Sequence, residues 1–422
     1  MNAVPFGFVD LFAGCGGLSL GLEMAGFTPI FVNELSPDAL NTYLLNRDSE
    51  YPLLRSKYHV QNVKELVANN GNLLRDLAEG LRTDYGIANG DISLVVGGPP
   101  CQGFSAIGHR RSYAVDKVQL PSNHLYQDMA FAIHLLRPKA FLFENVRGLL
   151  SAKWTNGGDR GEIWEDIRHT FEEIPGYNVR AQLIFGKDYG VPQNRPRVLL
   201  VGIRDDLGVE PNRGFPAVAD GYLPAPQTRN YPDLEELLGD LVDPSFRNGG
   251  STPSYPKEPS TKIQHWMRTP KGESEALPKG AVVTEHDYAK HGIDVVEKFK
   301  YMIENNGKIP DHMKTKKFAQ RVLPRFWGDE GPTLTATSLP DDYVHFEQPR
   351  IPTVREWARI QTFPDWYKFA GKKTTGGVRR AGNPREGIYE RELPKYTQIG
   401  NAVPVLLARA VGEHLKLLLT DR

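Results

Sequence analysis

The stretch that most constrains the fold of this chain is FVDLFAGCGGLSLGLE, which spans residues 8 to 23. Its apolar run at 8 to 12 is typical of a buried strand, the glycines that follow predict a tight turn, and residues 18 to 25 suit a helix. A strand, a glycine turn and a helix in this order begin a βαβ unit. We therefore expect a parallel sheet that is covered by helices.

The same alternation of strand and helix continues through the first 205 residues. We expect further strands at 29–32, 94–96, 140–143 and 198–201, and further helices at 37–45, 125–136 and 163–174. This rhythm predicts an α/β fold whose sheet is largely parallel, with helices on both faces.

The rhythm stops near residue 205, and the sequence becomes rich in proline, glycine, serine and asparagine up to about residue 350. Helical periodicity returns at 352–363, with Pro352 and Thr353 at its start, and again at 402–419. We predict three parts: a ligand-binding and catalytic domain, a smaller irregular domain, and a C-terminal segment that completes the first domain. Their bounds are 1–205, 206–395 and 396–422.

The composition excludes several classes of protein. No apolar run approaches the ~18 residues that a membrane span needs, and the beginning of the chain shows no export signal. Two cysteines in 422 residues argue against a disulfide framework and against a cysteine-rich metal site, so we expect no metal and a reducing compartment. The charges of the 51 basic and 51 acidic residues cancel. Nucleic acid could therefore be bound only by a local basic face, not by the net charge of the protein.

The glycine turn has the features of a nucleoside site. Gly14, Gly16 and Gly17 would let the backbone approach a ligand at a helix N-terminus. Glu34 follows the second strand 20 residues after Gly14, the usual spacing for a carboxylate that binds ribose hydroxyls. Ser19 stands where a dinucleotide fingerprint has glycine, which favours an adenosine ligand over a pyrophosphate. A purely structural turn is the alternative.

The segment GGPPCQGFS, residues 97 to 105, places Cys101 just after an apolar strand. The carboxyl ends of parallel strands are where such folds bind ligands, although a thiol with an ordinary pKa of ~8.5 needs activation to act as a nucleophile. A structural turn is again the alternative. Cys15, inside the glycine turn, is interpreted as a small buried residue.

Charged residues follow two other strands of the expected sheet. Glu144 lies in AFLFENVRG at 140–148, where a carboxylate could face the same crevice as Cys101. Arg195 and Arg197, in QNRPRVLLVG, are two residues apart and so share one face if the chain is extended. They could orient a carboxylate or grip a phosphate. Alternatively, the glutamate caps a helix or is a surface charge, and the arginines are exposed to solvent at the start of a strand.

Six segments in this order resemble the cytosine-5 DNA methyltransferases, of the prokaryotic restriction–modification or orphan type. They are DLFAGCGG, GGPPCQGFS, FENVRG, QNRPRV, VREWARIQTFPDW and QIGNAVPVLLARAVG, and they span residues 8 to 412. The resemblance implies a Rossmann-like domain dependent on S-adenosylmethionine, with a smaller irregular target-recognition domain. It also implies methyl transfer to C5 of a cytosine in a specific double-stranded DNA sequence.

The resemblance assigns four catalytic residues. Cys101 would add to C6 of a flipped-out cytosine, which turns C5 into a nucleophile. Glu144 would hold the N3 and amino edge of the base, Arg195 would orient Glu144, and Arg197 would lie against the base or the intermediate.

The resemblance also implies cofactor and DNA contacts. Asn62 stands where the family usually has an aspartate that contacts the adenine. Asn401 would contact the methionine end of S-adenosylmethionine. The implied cofactor residues are Phe12, Gly14, Gly16, Gly17, Leu18, Glu34, Asn62, Pro100 and Asn401. The implied DNA contacts are Gln102, Ser105, Arg110, Arg111 and Thr333.

The implied setting is bacterial: a monomer in the cytoplasm, associated with the nucleoid through DNA, alongside a cognate restriction endonuclease with which it forms no stable complex. Three alternatives stay open: a tRNA cytosine-5 methyltransferase, a non-catalytic DNA-binding relative, and a nicotinamide oxidoreductase. Roughly 150 residues between QNRPRV and PTVREW favour DNA over tRNA. The span 367–395 carries eight basic and three acidic residues and is either a DNA-backbone contact or a linker.

Overall fold

A mixed seven-stranded sheet forms the centre of the protein, in the order β3-β2-β1-β4-β5-β7-β6. Its strands are β1 Gly7–Leu11, β2 Thr28–Asn33, β3 His59–Val60, β4 Leu94–Gly97, β5 Ala140–Val146, β6 Tyr177–Phe185 and β7 Pro196–Arg204. The first five in spatial order are parallel, whereas β7 is antiparallel to both β5 and β6. The expected α/β fold is confirmed, with an antiparallel hairpin added at one edge.

This computed structural model describes residues 4–87, 91–100, 118, 120–155, 157–212, 221–227, 231–314, 320–326, 333–334, 342–374 and 392–420. Its helices in the first half are α1 Gly17–Met24, α2 Pro37–Leu45, α3 Pro52–Ser56, α4 Val63–Tyr85, α5 Leu125–Leu136 and α6 Glu162–Glu172. Those of the second half are α7 Leu234–Leu238, α8 Lys262–Arg268, α9 Ile293–Glu304, α10 Val354–Ile360, α11 Lys395–Asn401 and α12 Val405–Leu419. Two short parallel strands, β8 Arg321–Val322 and β9 Tyr343–Val344, pair separately.

Helices cover both faces of the sheet, as the alternation of side chains along a strand requires. On one face, Val9 and Phe141 belong to a buried cluster that includes residues of α4, α5 and α6. On the other face, Phe8 and Leu142 belong to a cluster that includes residues of α1 and α12. The C-terminal helix therefore packs on the first βα unit, as expected.

A third buried cluster joins the second half of the chain to the glycine turn. Cys15 and Leu20 share it with Leu237, Trp357 and Ile399, along with other apolar residues between 234 and 405. Because this cluster spans both halves of the chain, the division at residues 205 and 396 stays a prediction. Within the described ranges, no helix is long and apolar enough to cross a membrane.

Candidate active site

Three of the predicted site segments follow the carboxyl ends of neighbouring strands in the sheet. Strands β1, β4 and β5 are parallel neighbours, with Leu11 paired to Gly97 and Gly97 paired to Phe143. The glycine turn, the chain that leads to Cys101, and Glu144 therefore follow one another along the carboxyl edge of the sheet. Five predicted site residues lie outside the described residues: Cys101, Gln102, Ser105, Arg110 and Arg111.

The turn before Cys101 is held against strand β5. The Asn145 side chain donates from Nδ2 to the Pro99 carbonyl oxygen at 3.1 Å, while its Oδ1 accepts from the backbone of Val146 at 2.9 Å. A Cβ placed on Gly98 would stand 2.9 Å from Oε2 of Glu144, so glycine allows the carboxylate to approach the turn. The next residue, Pro100, is exposed.

Glu144 forms a buried ion pair with Arg197. The Nε atom of Arg197 lies 2.5 Å from Oε1 of Glu144, and the two side chains are 7% and 12% exposed. In the antiparallel register, Arg197 faces Val146, so it stands diagonally across from Glu144 on the same face. Burial lowers the pKa of Arg197, and the Glu144 carboxylate opposes that shift.

The Arg195 side chain bonds to other segments, and its expected role in orienting Glu144 stays a prediction. Its Nη1 donates to the carbonyl of Leu334 at 2.5 Å, and its Nη2 donates to the carbonyl of Gly400 at 2.7 Å. It precedes the first residue of β7, so it lies two residues further from Glu144 than Arg197 does. Burial and the nearby Arg197 charge lower the pKa of Arg195, while Glu144 opposes that shift.

The Glu34 carboxylate lies beside the glycine turn. Its Oε2 accepts from the backbone N–H of Gly14 and its Oε1 from that of Ser36, each at 2.8 Å. Burial raises the pKa of Glu34, and these two backbone bonds oppose the rise. The neighbouring Leu35 side chain is 65% exposed.

Asn33 is a residue of this site that the sequence analysis missed. Its Oδ1 accepts from the Phe12 N–H at 3.4 Å, and its Nδ2 donates to the carbonyls of Val60 and Gln61 at 2.9 and 2.8 Å. One amide thus ties together the ends of β1, β2 and β3. The only signal for it in the sequence is its position directly before Glu34.

The three glycines of the turn have different surroundings. Gly14 has a φ of 57°, and a Cβ added to it would meet no atom within 4 Å. A Cβ on Gly16 would meet three side chains of the protein, and one on Gly17 would stand 2.4 Å from the carbonyl oxygen of Val403. Only Gly14 therefore borders open space, and the other two allow close packing of the protein on itself.

The remaining predicted cofactor and DNA residues occupy several positions. Asn62 is exposed and caps α4, since its Oδ1 accepts from the Lys64 N–H at 3.0 Å. Asn401 is exposed at the end of α11, whereas Leu18 is 8% exposed within the core under α12. The Thr333 hydroxyl donates to the Asn194 carbonyl.

Ser19, which breaks the dinucleotide pattern, belongs to a buried polar network. Its hydroxyl donates to Oδ2 of Asp10 and lies 2.9 Å from the Tyr43 hydroxyl. Burial raises the pKa of Asp10 to about 7, against the opposing effects of Ser19 and Arg47. A glycine here could not make these bonds, so the sequence difference has a structural reason.

Cys15 is buried, and the interpretation of it as a small core residue is confirmed. Its thiol donates to the Gln398 carbonyl at 3.4 Å, and burial raises the pKa of Cys15 to about 12. Among the residues that the structure describes, no group of three or more His, Cys, Asp or Glu side chains could hold a metal ion.

Comparison with known proteins gives a consistent result. Residues 6–417 match the family described as C-5 cytosine-specific DNA methylase. The chain is 31% identical over 421 residues to the Type II methyltransferase M.DdeI of Desulfomicrobium norvegicum, covering 96% of this chain and 88% of that protein. It is 28% identical over 410 residues to the Type II methyltransferase M1.HphI of Haemophilus parahaemolyticus, covering 96% and 85%.

A solved structure shares the fold over the whole chain. It is a putative DNA modification methyltransferase encoded within a prophage of E. coli, with a TM-score of 0.65 and 22% identity, and the match covers 99% of this chain and 100% of that one.

Proposed function

Since the chain belongs to the C-5 cytosine-specific DNA methylase family and is a DNA cytosine-5 methyltransferase, we propose that it methylates a flipped-out cytosine within a specific double-stranded sequence. The methyl donor would be S-adenosylmethionine, and Cys101 would form a covalent adduct with the base. One observation carries the proposal: Asn145 and Gly98 hold the turn before Cys101 directly against Glu144.

The glycine-turn region fits an adenosine-containing cofactor. Gly14 leaves open space on the side where a Cβ would stand, and the Glu34 carboxylate retains lone pairs beyond its two backbone bonds. The exposed Leu35 side chain offers an apolar surface beside that carboxylate. These residues would bind the ribose and adenine, while Asn401 would lie at the methionine end. When bound, the cofactor supplies an electrophilic methyl group.

The protein's own residues would activate the cytosine. The Cys101 thiolate forms a bond to C6, which moves electron density onto C5. Glu144, held by Arg197 at 2.5 Å, would bind the N3 and amino edge and stabilise the charge that develops there. After C5 has taken the methyl group, water takes the C5 proton and the C–S bond breaks, which restores the ring and releases the Cys101 thiolate.

The target base must leave the duplex for this chemistry, because in stacked DNA the neighbouring bases cover the ring face on which the thiolate attacks C6. We propose that Gln102, Ser105, Arg110 and Arg111, which follow the nucleophile, contact the opened DNA. Residues 206–350 would select the sequence. Relatives named Type II methyltransferases support a restriction–modification context, and we propose a monomer that acts beside a cognate endonuclease without a stable complex.

Trapping on 5-fluorocytosine tests the covalent step. The target would first be found by bisulfite sequencing of DNA from a host that expresses the chain. Wild type should then form a denaturation-resistant complex with a duplex that carries 5-fluorocytosine at the target, because fluorine cannot leave as a proton. Cys101→Ala should lose the complex but keep cofactor binding, and Cys15→Ala should trap normally. Trapping by Cys101→Ala would overturn the assignment.

Three further experiments test the cofactor site, the sequence specificity and the choice of DNA over tRNA. Glu34→Ala removes a charged acceptor, a loss of about 1.5–3 kcal/mol, so calorimetry should show cofactor binding weakened roughly ten- to hundredfold with the fold intact. Exchange of residues 206–350 with those of a relative should change which cytosines are methylated. Competition of labelled methyl transfer between duplex DNA and tRNA separates the proposal from the tRNA alternative.

A further inference from the structure

Residues 193–195 bind both backbone polar groups of Leu334, which lies near the end of residues 206–350, here called the variable region. Leu334 donates its backbone N–H to Oε1 of Gln193 at 3.1 Å and accepts from Nη1 of Arg195 at 2.5 Å. The preceding Thr333 donates its hydroxyl to the Asn194 carbonyl. Leu334 is completely buried. Residues 193–195, here called the junction segment, thus bind both described residues of the 327–341 stretch.

The junction segment also binds the C-terminal part of the chain. Arg195 donates from Nη2 to the Gly400 carbonyl at 2.7 Å. Gln193 donates from Nε2 to the Ile360 carbonyl at 2.9 Å and to Oε1 of Gln361 at 2.7 Å. Gln361 donates in turn to the carbonyls of residues 399 and 402 at 2.8 and 3.0 Å. One connected set of bonds therefore joins four distant parts of the sequence.

Burial makes this network rigid. Gln193 and Gln361 are 0% exposed and Arg195 is 2% exposed. A buried polar group that loses its partner cannot be compensated by water, so displacement of Leu334 would leave a guanidinium donor and an amide acceptor unsatisfied. The arginine fork suits such a role, because its donors are held in one plane and can reach two carbonyls at fixed directions.

Arg195 lies two residues before Arg197, which contacts Glu144. Only residues 195–197 connect the contact with Leu334 to the contact with Glu144. A shift of Leu334 would therefore also shift the proposed base-binding carboxylate. We infer that Arg195 is a positioning residue: with Gln193, it fixes the end of the variable region relative to the Glu144–Arg197 pair. Correct DNA contacts in that region would thereby place the target cytosine against the catalytic residues, and wrong contacts would misplace it. This inference rests on the proposed sequence specificity.

The test compares Arg195→Lys with Arg197→Lys on two duplexes, one with the target sequence and one with a single mismatch outside the methylated base pair. Lysine keeps the charge but lacks the planar fork whose two separate nitrogens reach the Leu334 and Gly400 carbonyls. Arg195→Lys should reduce kcat/KM on the target at least tenfold with little change on the mismatched duplex, so discrimination between them should fall about tenfold. Arg197→Lys should lower kcat on both duplexes by the same factor, because its partner acts in the chemical step.

A second variant covers the case in which Arg195→Lys does not fold. Gln193→Leu removes the acceptor for Leu334 with an apolar side chain of similar size, and its discrimination should fall in the same direction. Thermal unfolding confirms the fold of each variant. If folded Arg195→Lys or Gln193→Leu loses equal activity on both duplexes, the coupling role is wrong. If the wild type itself does not discriminate, the proposed sequence specificity fails instead.

Discussion

Asn145 and Pro99 are joined by a hydrogen bond of 3.1 Å between neighbouring strand ends, two residues before Cys101. The bond connects the turn after β4 to strand β5, which carries Glu144 next to the donor. The bond therefore fixes the turn before Cys101, the proposed nucleophile, relative to the Glu144 carboxylate. Positioning of reacting groups in this manner contributes substantially to enzymatic rates.

Replacement of this asparagine should slow the covalent step. Asn145→Ala removes the donor to the Pro99 carbonyl, which should lower the free energy of unfolding by about 1–3 kcal/mol. The turn before the proposed nucleophile then loses this attachment to β5. Adduct formation on 5-fluorocytosine DNA should slow at least tenfold in rapid-quench measurements, while the DNA affinity measured at equilibrium stays within twofold of wild type.

Asn46→Ala provides the matched control. Asn46 also makes backbone hydrogen bonds, to Thr42 and Lys368, but it lies away from Glu144. Its loss should lower stability and leave the trapping rate unchanged. Equal trapping rates for Asn145→Ala and wild type would show that the turn holds its place without the Asn145 bond.

Two glycines of the first turn should respond differently to alanine. In Gly17→Ala, the new methyl group would stand 2.4 Å from the Val403 carbonyl. Because that atom is backbone at the start of α12, we expect a loss of stability of about 1–3 kcal/mol or more. In Gly14→Ala the space is open, and only the left-handed backbone at a φ of 57° costs about 1 kcal/mol. Thermal unfolding should rank Gly17→Ala as the less stable variant.

Cofactor binding should show the reverse order. Gly14→Ala places a methyl group in the space proposed for the ligand, so calorimetry should show binding weakened at least tenfold. Folded Gly17→Ala, measured below its unfolding temperature, should bind with nearly normal affinity. Strong binding by Gly14→Ala would place the ligand elsewhere.

Most of the sheet could be predicted because its strands are short apolar runs that end at clear turn signals. The bounds of α2 and α5 were predicted to the residue, α2 because Ser36 and Pro37 form its start. Helix α4 was missed: its middle, residues 68–71, is non-helical and asparagine-rich. Strand β6 was also missed, because it lies at the sheet edge and only four of its nine residues are buried.

The same limit applies to the site: local patterns predict which side chains share a face, but not which partners they meet in the folded protein. Spacing placed Arg195 and Arg197 on one face, but the choice of which arginine meets Glu144 depends on the register between β5 and β7. Bonds such as Asn145 to Pro99, or Arg195 to Gly400, join residues 46 and 205 positions apart. Such pairings cannot be predicted from the periodicity or the motif of a single segment.

The buried Asp10 carboxyl should make stability depend on pH. Burial raises its pKa from 3.8 to about 7, so the folded protein keeps this proton where the unfolded chain releases it. The associated stability is present below pH 4 and is lost as the pH rises toward 7. Asn at this position cannot ionise, so the free energy of unfolding of wild type minus that of Asp10→Asn should fall by up to about 3 kcal/mol between pH 5 and 8.

Denaturant unfolding of both proteins at each pH measures this difference, so that the titration of other groups cancels. Asp48→Asn is the control, since that carboxylate is exposed and pairs with Arg55. A constant difference between wild type and Asp10→Asn across this range would mean that Asp10 ionises in the folded state at its ordinary pKa.

Selective alkylation should distinguish the two cysteines. The Cys15 thiol is 1% exposed, bonds to the Gln398 carbonyl, and has its pKa raised to about 12 by burial. It should therefore carry almost no thiolate at pH 8 and resist iodoacetamide in the folded protein. Wild type should be modified at one site, which peptide mass spectrometry should assign to Cys101. Native Cys101→Ala should take up no label over the same period and one label after denaturation. Rapid labelling of native Cys101→Ala would mean that the packing of α11 over the glycine turn opens readily, and the close approach of Gly17 to Val403 would then have to open with it.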